Sequence, residues 1–276
     1  MPLPRGLAAC LLSLPLLAAT AYEVEIGKWR QAREAALRAD GGWLTVSGLF
    51  WLKPGANRFG SALSNDIVLP ASAPATAGVF ELQDGNVTAQ TGGGVRDLRP
   101  DSADALAMGP LTLAVIKRGD RYGIRMRDRD SRFRREFTGL HWFPVRENWR
   151  ITARFVAEPR KLAVANVIGQ TEPMESPGYA VFQLGGREYR LYPVLEEPGA
   201  TELFYIFRDQ TSGRETYGAG RFLYSGLPRD GAVVLDFNKA YNPPCAFTPY
   251  ATCPLPPREN RLSTRIEAGE MKYGDH

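Results

Sequence analysis

The chain has 276 residues, 44% hydrophobic and 23% charged, enough apolar content to bury a core and too much for global disorder. Its 28 Gly and 21 Pro exceed what a helical bundle carries and point to many short strands joined by turns. A net charge of +4, from 34 basic and 30 acidic residues, is too balanced to call for nucleic acid as a partner.

Residues 1–21 read as a signal peptide. Arg5 supplies the positive start, Leu7 to Ala18 is an apolar run too short to span a bilayer, and Ala19-Thr20-Ala21 offers small residues for cleavage. The mature chain is expected to start near Tyr22 and to be periplasmic or secreted. Leu7-Ala8-Ala9-Cys10 looks like a lipoprotein box, but too little hydrophobic sequence precedes it. No later stretch approaches the length of a transmembrane segment.

Residues 22–42 form an N-terminal helical region. From Glu23 to Ala39 the positions Val24, Ile26 or Trp29, Ala32, Ala36 and Leu37 lie roughly on one face, and Asp40-Gly41-Gly42 ends the pattern. Residues 43–138 then read as a first β-lobe. Strands are expected over Trp43 to Leu52, Asn57 to Ser61, Asp66 to Leu69, Gly78 to Leu82 and Asn86 to Gln90, the last two joined by Asp84-Gly85. Gly92-Gly93-Gly94 reads as a flexible break. Leu111 to Arg118 and Tyr122 to Asp128 form a further hairpin about Gly119-Asp120.

Residues 139–276 read as a second β-lobe, with a Pro-rich Cys loop over 241–260. Its expected strands are Trp149 to Val156, Lys161 to Ile168, Tyr179 to Leu184, Tyr189 to Val194, Leu203 to Arg208, Gly220 to Tyr224 and Ala232 to Phe237. The fold is therefore mainly β: an N-terminal helix, then a small β-sandwich packed on a C-terminal antiparallel β-barrel or sandwich.

Within the first lobe, Lys117 to Glu136 holds nine basic and four acidic residues. This run reads either as an anion-binding face or as the solvent face of a hairpin whose Arg and Asp residues pair across strands. The second reading is preferred.

Two stretches resemble known families. Asp209 to Gly213, Thr216 to Leu223, Asp236-Phe237-Asn238 and the run from Tyr241 through Cys245 and Cys253 to Asn260 are similar to the domain of unknown function 1684 family. Gly48-Leu49, Trp51-Leu52 and Trp142-Phe143-Pro144 extend that likeness over nearly the whole mature chain. The family implies a grouping and no activity. Asn57 to Ser61 followed by Asn65 to Pro70 resembles the opening strands of forkhead-associated sandwiches, in shape alone. Ser61 follows Gly60 where those domains carry an Arg, and Pro74 to Ala77 stands where their Ser and His fall, so phosphopeptide binding is not implied.

Histidine limits the chemistry available. Only His141 and the terminal His276 exist, so a His-rich zinc site is excluded and no metal site is expected. Cys245 and Cys253, eight positions apart, are a disulfide candidate, with free or redox-active thiols and a metal site as alternatives. The expected polar pocket comprises Arg208, Asp209, Tyr217, Arg221, Asp236, Asn238, Asn242, Glu259 and Asn260, with Glu215 beside them. Alternation places Asp236 and Asn238 on one face. Arg221 and Asp236, if turned inward, act either as an internal ion pair anchoring the Pro-rich loop or as a carboxylate and guanidinium gripping a ligand.

No nucleotide or redox-cofactor motif appears, so no cofactor is expected. The function expected is the binding of a small ligand or envelope component in that pocket. The alternatives are a hydrolase with Asp209 or Asp236 as base and Arg221 and Tyr217 positioning substrate, or an envelope scaffold.

Overall fold

The computed structural model describes residues 19–274. Most of the leader and His276 lie outside them. Helix α1 (Ala21–Arg38) opens the described chain. Thr20 caps it: its hydroxyl accepts from the Glu23 amide, and the Glu23 carboxylate accepts from the Thr20 amide. Tyr22, Ile26 and Leu37 are its buried anchors. No helix among the described residues is long and apolar enough to cross a membrane.

The first lobe is a two-sheet sandwich. One sheet orders β1 (Val46–Trp51), β9 (Arg121–Asp128), β8 (Leu111–Arg118) and β7 (Ala105–Met108). The other orders β3 (Ile67–Val68), β2 (Gly55–Gly60), β4 (Gly78–Gln83), β5 (Asn86–Thr91) and β6 (Gly94–Asp97). Phe59 and Phe80 from the second sheet stack at 4.2 Å between ring centroids. They share one core with Leu111, Leu113, Ile124 and Met126 from the first. Gly92-Gly93-Gly94 is a hairpin turn into β6 rather than a break, because Thr91 pairs with Gly94 and the ladder continues. Strands β6 and β7 have little hydrophobic alternation and escape sequence patterning.

The second lobe is built on a sheet ordered β12 (Arg187–Leu191), β11 (Thr171–Leu184), β10 (Arg150–Ala165) and β15 (Ala232–Asp236). It faces the hairpin of β13 (Glu202–Phe207) and β14 (Arg221–Gly226). Leu203, Tyr205, Phe207 and Leu223 join Phe182, Leu235 and Phe237 in its core. The ladder is not continuous around the lobe, so this is a pair of sandwich-like sheets and no closed barrel.

Trp149 to Val156 and Lys161 to Ile168, expected as separate strands, are largely one strand, β10. Pro159 and Pro177 both fall where the β10–β11 register shifts between Ala157–Gly178 and Arg160–Ser176. A bulge needs no ladder bond from either proline, so two long strands survive them.

The opposite face of β13–β14 is buried too. Phe204, Ile206 and Phe222 pack with Leu162, Val164, Ala251 and Cys253 beneath the Pro-rich segment. Gly220 lets that segment approach: a Cβ there would stand 2.5 Å from the Pro256 ring, and its φ of +130° suits glycine. A last cluster of Leu37, Leu44, Phe137 and Phe247 seats α1 against the same loop.

Candidate functional site

The residues expected to line one pocket separate into several environments. Arg221, at the start of β14, is fully buried and pairs with Asp209, not Asp236: Nη2 lies 3.2 Å from Asp209 Oδ2. Its Nη1 and Nη2 also donate to the carbonyls of Ala268 and Ile266. Asp209 is saturated by the Ile266 amide on one oxygen and by Thr211 on the other. The pair thus ties the segment after the Pro-rich loop to β14, and neither side chain lines a cavity described here.

Asp236 lies at the end of β15, where its Oδ1 accepts from the Tyr22 phenol at 2.8 Å and from the Asn238 amide. Asn238 closes this network by donating to Tyr22 and to the Arg146 carbonyl. Burial and the neighbouring Asp236 carboxylate both push the Tyr22 phenol above its ordinary range. Asp236 and Arg221 are therefore both buried, each in its own network. The difference arises because Asp209 stands at the end of β13, and Phe207, two residues before it, pairs with Arg221 across the hairpin.

Asn242 and Asn260 are buried clamps. Asn242 donates to the Met271 carbonyl, and Asn260 closes three bonds with Tyr192 and Ile206. Arg208 and Glu259 are exposed. Glu215 pairs with Arg265 at 2.7 Å, and the Tyr217 phenol donates to the Cys245 carbonyl. His141 is exposed, and only its carbonyl is engaged, by the Met271 amide.

Cys245 and Cys253 are neighbouring thiols without a bond between their sulfurs. The Cys245 amide donates to Cys253 Sγ at 3.2 Å. No group of three or more His, Cys, Asp or Glu among the described residues is placed to hold a metal ion.

A cleft of about 340 Å³ opens where α1, the first lobe, the β13–β14 hairpin and the Pro-rich loop meet. Its key residue is Arg125 on β9. Strand alternation sends Ile124 and Met126 into the sandwich core, which turns Arg125 to the opposite face, toward the second lobe. Only 7% of Arg125 is exposed, and neither its Nε nor its Nη2 has a hydrogen-bond partner. Burial pushes this guanidinium down to about 10, with Arg118 and Arg127 adding like-charge repulsion. It remains a cation at neutral pH. The Trp43 ring lies 5.1 Å beneath it.

Two further arginines face the cleft with their charges already shared. Arg118 donates to Thr252 Oγ1 at 3.0 Å and pairs with Asp101 at 2.9 Å. Arg33, from α1, donates to the Asn242 carbonyl, meets Glu270 at 3.4 Å and covers the Tyr241 ring at 4.5 Å. The aromatic wall is continuous: Phe204 stacks on Tyr224 at 4.8 Å, and Tyr224 lies parallel to Tyr241 at 6.3 Å. Glu196 accepts from the Tyr224 phenol at 2.6 Å at one edge.

The preferred reading of Lys117 to Glu136 as a solvent face is therefore corrected at Arg125. Net charge along the strand conceals it; the signal was its place between Ile124 and Met126, whose inward turn fixes its own direction.

Comparison with known proteins gives a grouping. No curated protein matches the chain. A solved structure of an uncharacterized protein from Haloarcula marismortui is 31% identical over 52% of this chain and 81% of that one, with a TM-score of 0.44. The model for the protein family of unknown function DUF1684 matches residues 135–271. That span covers the second lobe and the Pro-rich loop, while Gly48-Leu49, Trp51-Leu52 and the arginines of β8 and β9 lie outside it. The chain belongs to the DUF1684 family.

Proposed function

We propose that the chain binds a small anionic ligand with a planar, aromatic body in the cleft between its two lobes. Arg125 carries this reading. A guanidinium removed from water without a partner costs several kcal/mol in the free protein, and an arriving anion offsets that cost. A carboxylate or phosphate can meet its planar donor fork in two parallel bonds. The Trp43, Tyr224 and Tyr241 rings supply flat apolar contact for the rest of the ligand. The volume of about 340 Å³ lies at the lower end of small-molecule sites.

A hydrolase using Asp209 or Asp236 with Arg221 and Tyr217 has less support. Asp209 has no free face, Tyr217 is engaged by the Cys245 carbonyl, and Asp236 is held by Tyr22 and Asn238.

Calorimetric titration with phenyl phosphate, inorganic phosphate and benzyl alcohol tests the binding reading. Phenyl phosphate is expected to bind more tightly than either inorganic phosphate or benzyl alcohol. Equal binding of benzyl alcohol would remove the anion from the account, and absence of phenyl phosphate binding would remove the site.

We also infer export to the periplasm or exterior, supported by the composition of residues 1–21. Mass measurement of the N-terminus after expression with the leader tests this, with Tyr22 expected first. An intact leader on the accumulated protein would contradict export by cleavage.

A further inference from the structure

We propose that Cys245 and Cys253 form a thiol–disulfide exchange pair, reactive toward small disulfides, whose oxidation reshapes the wall of the interlobe cleft. The second half of this statement rests on the ligand-binding reading above. The first half stands on the geometry of the loop.

The two cysteines are neighbours within the Pro-rich loop, yet each borders a different space. Cys245 is half-buried and lines a separate cavity of about 780 Å³ with Tyr217, Phe247 and Thr248. Cys253 is 4% exposed and lines the interlobe cleft. They meet through the 3.2 Å contact from the Cys245 amide to Cys253 Sγ. Cys245 is therefore the less buried of the two and borders the larger cavity, while Cys253 is almost fully buried and close to it. Attack and resolution need that division of labour.

The protonation of the pair follows the same order. The neighbouring Cys253 thiol stabilises negative charge at Cys245 and draws its thiol below the ordinary value, while that charge and burial push Cys253 up. Thiolate character thus falls on the less buried of the two cysteines.

The reaction balances with a small disulfide as oxidant. The Cys245 thiolate attacks one sulfur of the reagent, whose S–S bond breaks and releases one thiolate. The mixed disulfide at Cys245 is then displaced by Cys253, which loses its proton as the Cys245–Cys253 bond forms. Two thiols of the chain are oxidised by two electrons, and the reagent is reduced to two thiols.

The consequence for the cleft follows from the neighbours of each cysteine. Pro244 and Cys253 both line it, and Thr252 holds Arg118 at its rim. Bonding Cys253 to Cys245 draws Cys253 Sγ out of the position it holds beside the cleft and constrains Thr252 and Pro254 with it.

Native-state intact mass under excess glutathione disulfide tests the exchange, with phenyl phosphate affinity measured before and after. The wild type is expected to lose two hydrogens and gain no glutathione. Cys253→Ser should stop at a stable glutathione adduct, and Cys245→Ser should react far more slowly. The oxidised wild type should differ from the reduced form by at least about fivefold in phenyl phosphate affinity. An inert wild type, or a Cys245→Ser variant that reacts as fast as Cys253→Ser, would overturn the exchange pair. Clean oxidation with unchanged affinity would overturn the coupling to the cleft. If the reduced protein fails to bind phenyl phosphate at all, the ligand reading falls, while the mass measurement still decides the exchange pair.

Discussion

Arg221 Nη2 stands 3.2 Å from Asp209 Oδ2, and neither side chain has any exposure to water. Such a pair contributes little net stability when intact, because burial desolvates both charges, yet breaking it leaves one charge stranded. Asp209→Asn is therefore expected to cost about 3–5 kcal/mol in denaturant unfolding. Joint replacement by Leu at 209 and Met at 221 should recover much of that loss. A single-variant cost under about 1 kcal/mol would show that water reaches the pair.

Glu270 gives the protein a distinctive pH dependence. Burial pushes its carboxyl up to about 7, and the contact with Arg33 only partly offsets this. The folded state then holds a proton that the unfolded state has lost. This stabilising contribution is complete below the ordinary carboxyl value of 4.5 and disappears as pH rises through about 7. Unfolding free energies of wild type should fall by about 3 kcal/mol across that window relative to Glu270→Gln. Parallel curves for the two proteins would contradict it.

Tyr22 fastens α1 to the second lobe through Asp236 and Asn238. Tyr22→Phe keeps the ring and takes one partner each from the buried Asp236 carboxylate and Asn238 side-chain amide, so a loss of about 1–3 kcal/mol is expected in thermal or denaturant unfolding. If cleavage follows Ala21, the Thr20 cap is removed, at a further cost of about 1 kcal/mol to the helix start. A Phe variant as stable as wild type would mean that water takes over both groups.

Much of the fold was legible because hairpins announce themselves. Asp84-Gly85 and Gly119-Asp120 each separate alternating runs, and each is a turn in the structure. The two strands expected over Trp149 to Val156 and Lys161 to Ile168 run together, since Pro159 and Pro177 sit in a bulge that spares the ladder. Among the polar residues of the C-terminal stretch, Arg221 and Asp236 are buried, as the inward alternative required, while Arg208 and Glu259 are exposed. The partners of the buried ones were not legible, because Asp209 meets Ile266 across 57 positions of chain and alternation speaks only of neighbours. The cleft was harder still. Arg33, Arg125 and Tyr241 come from a helix, the first lobe and the loop, and no spacing in one strand brings three such elements together.

Arg125 should weigh against the stability of the free protein. Arg125→Met removes a buried cation that lacks partners and keeps the packing on Trp43, so the free variant is expected to gain about 1–3 kcal/mol. Denaturant unfolding without added ligand measures this. A destabilised Met variant would mean that the guanidinium already has compensation in the free protein.

The most direct measurement compares phenyl phosphate binding to wild type and to Arg125→Gln by calorimetry, with Arg208→Gln as a control at an exposed position. The account predicts at least about a tenfold loss of affinity for the Arg125 variant and none for the control. Equal affinity in all three proteins would contradict it.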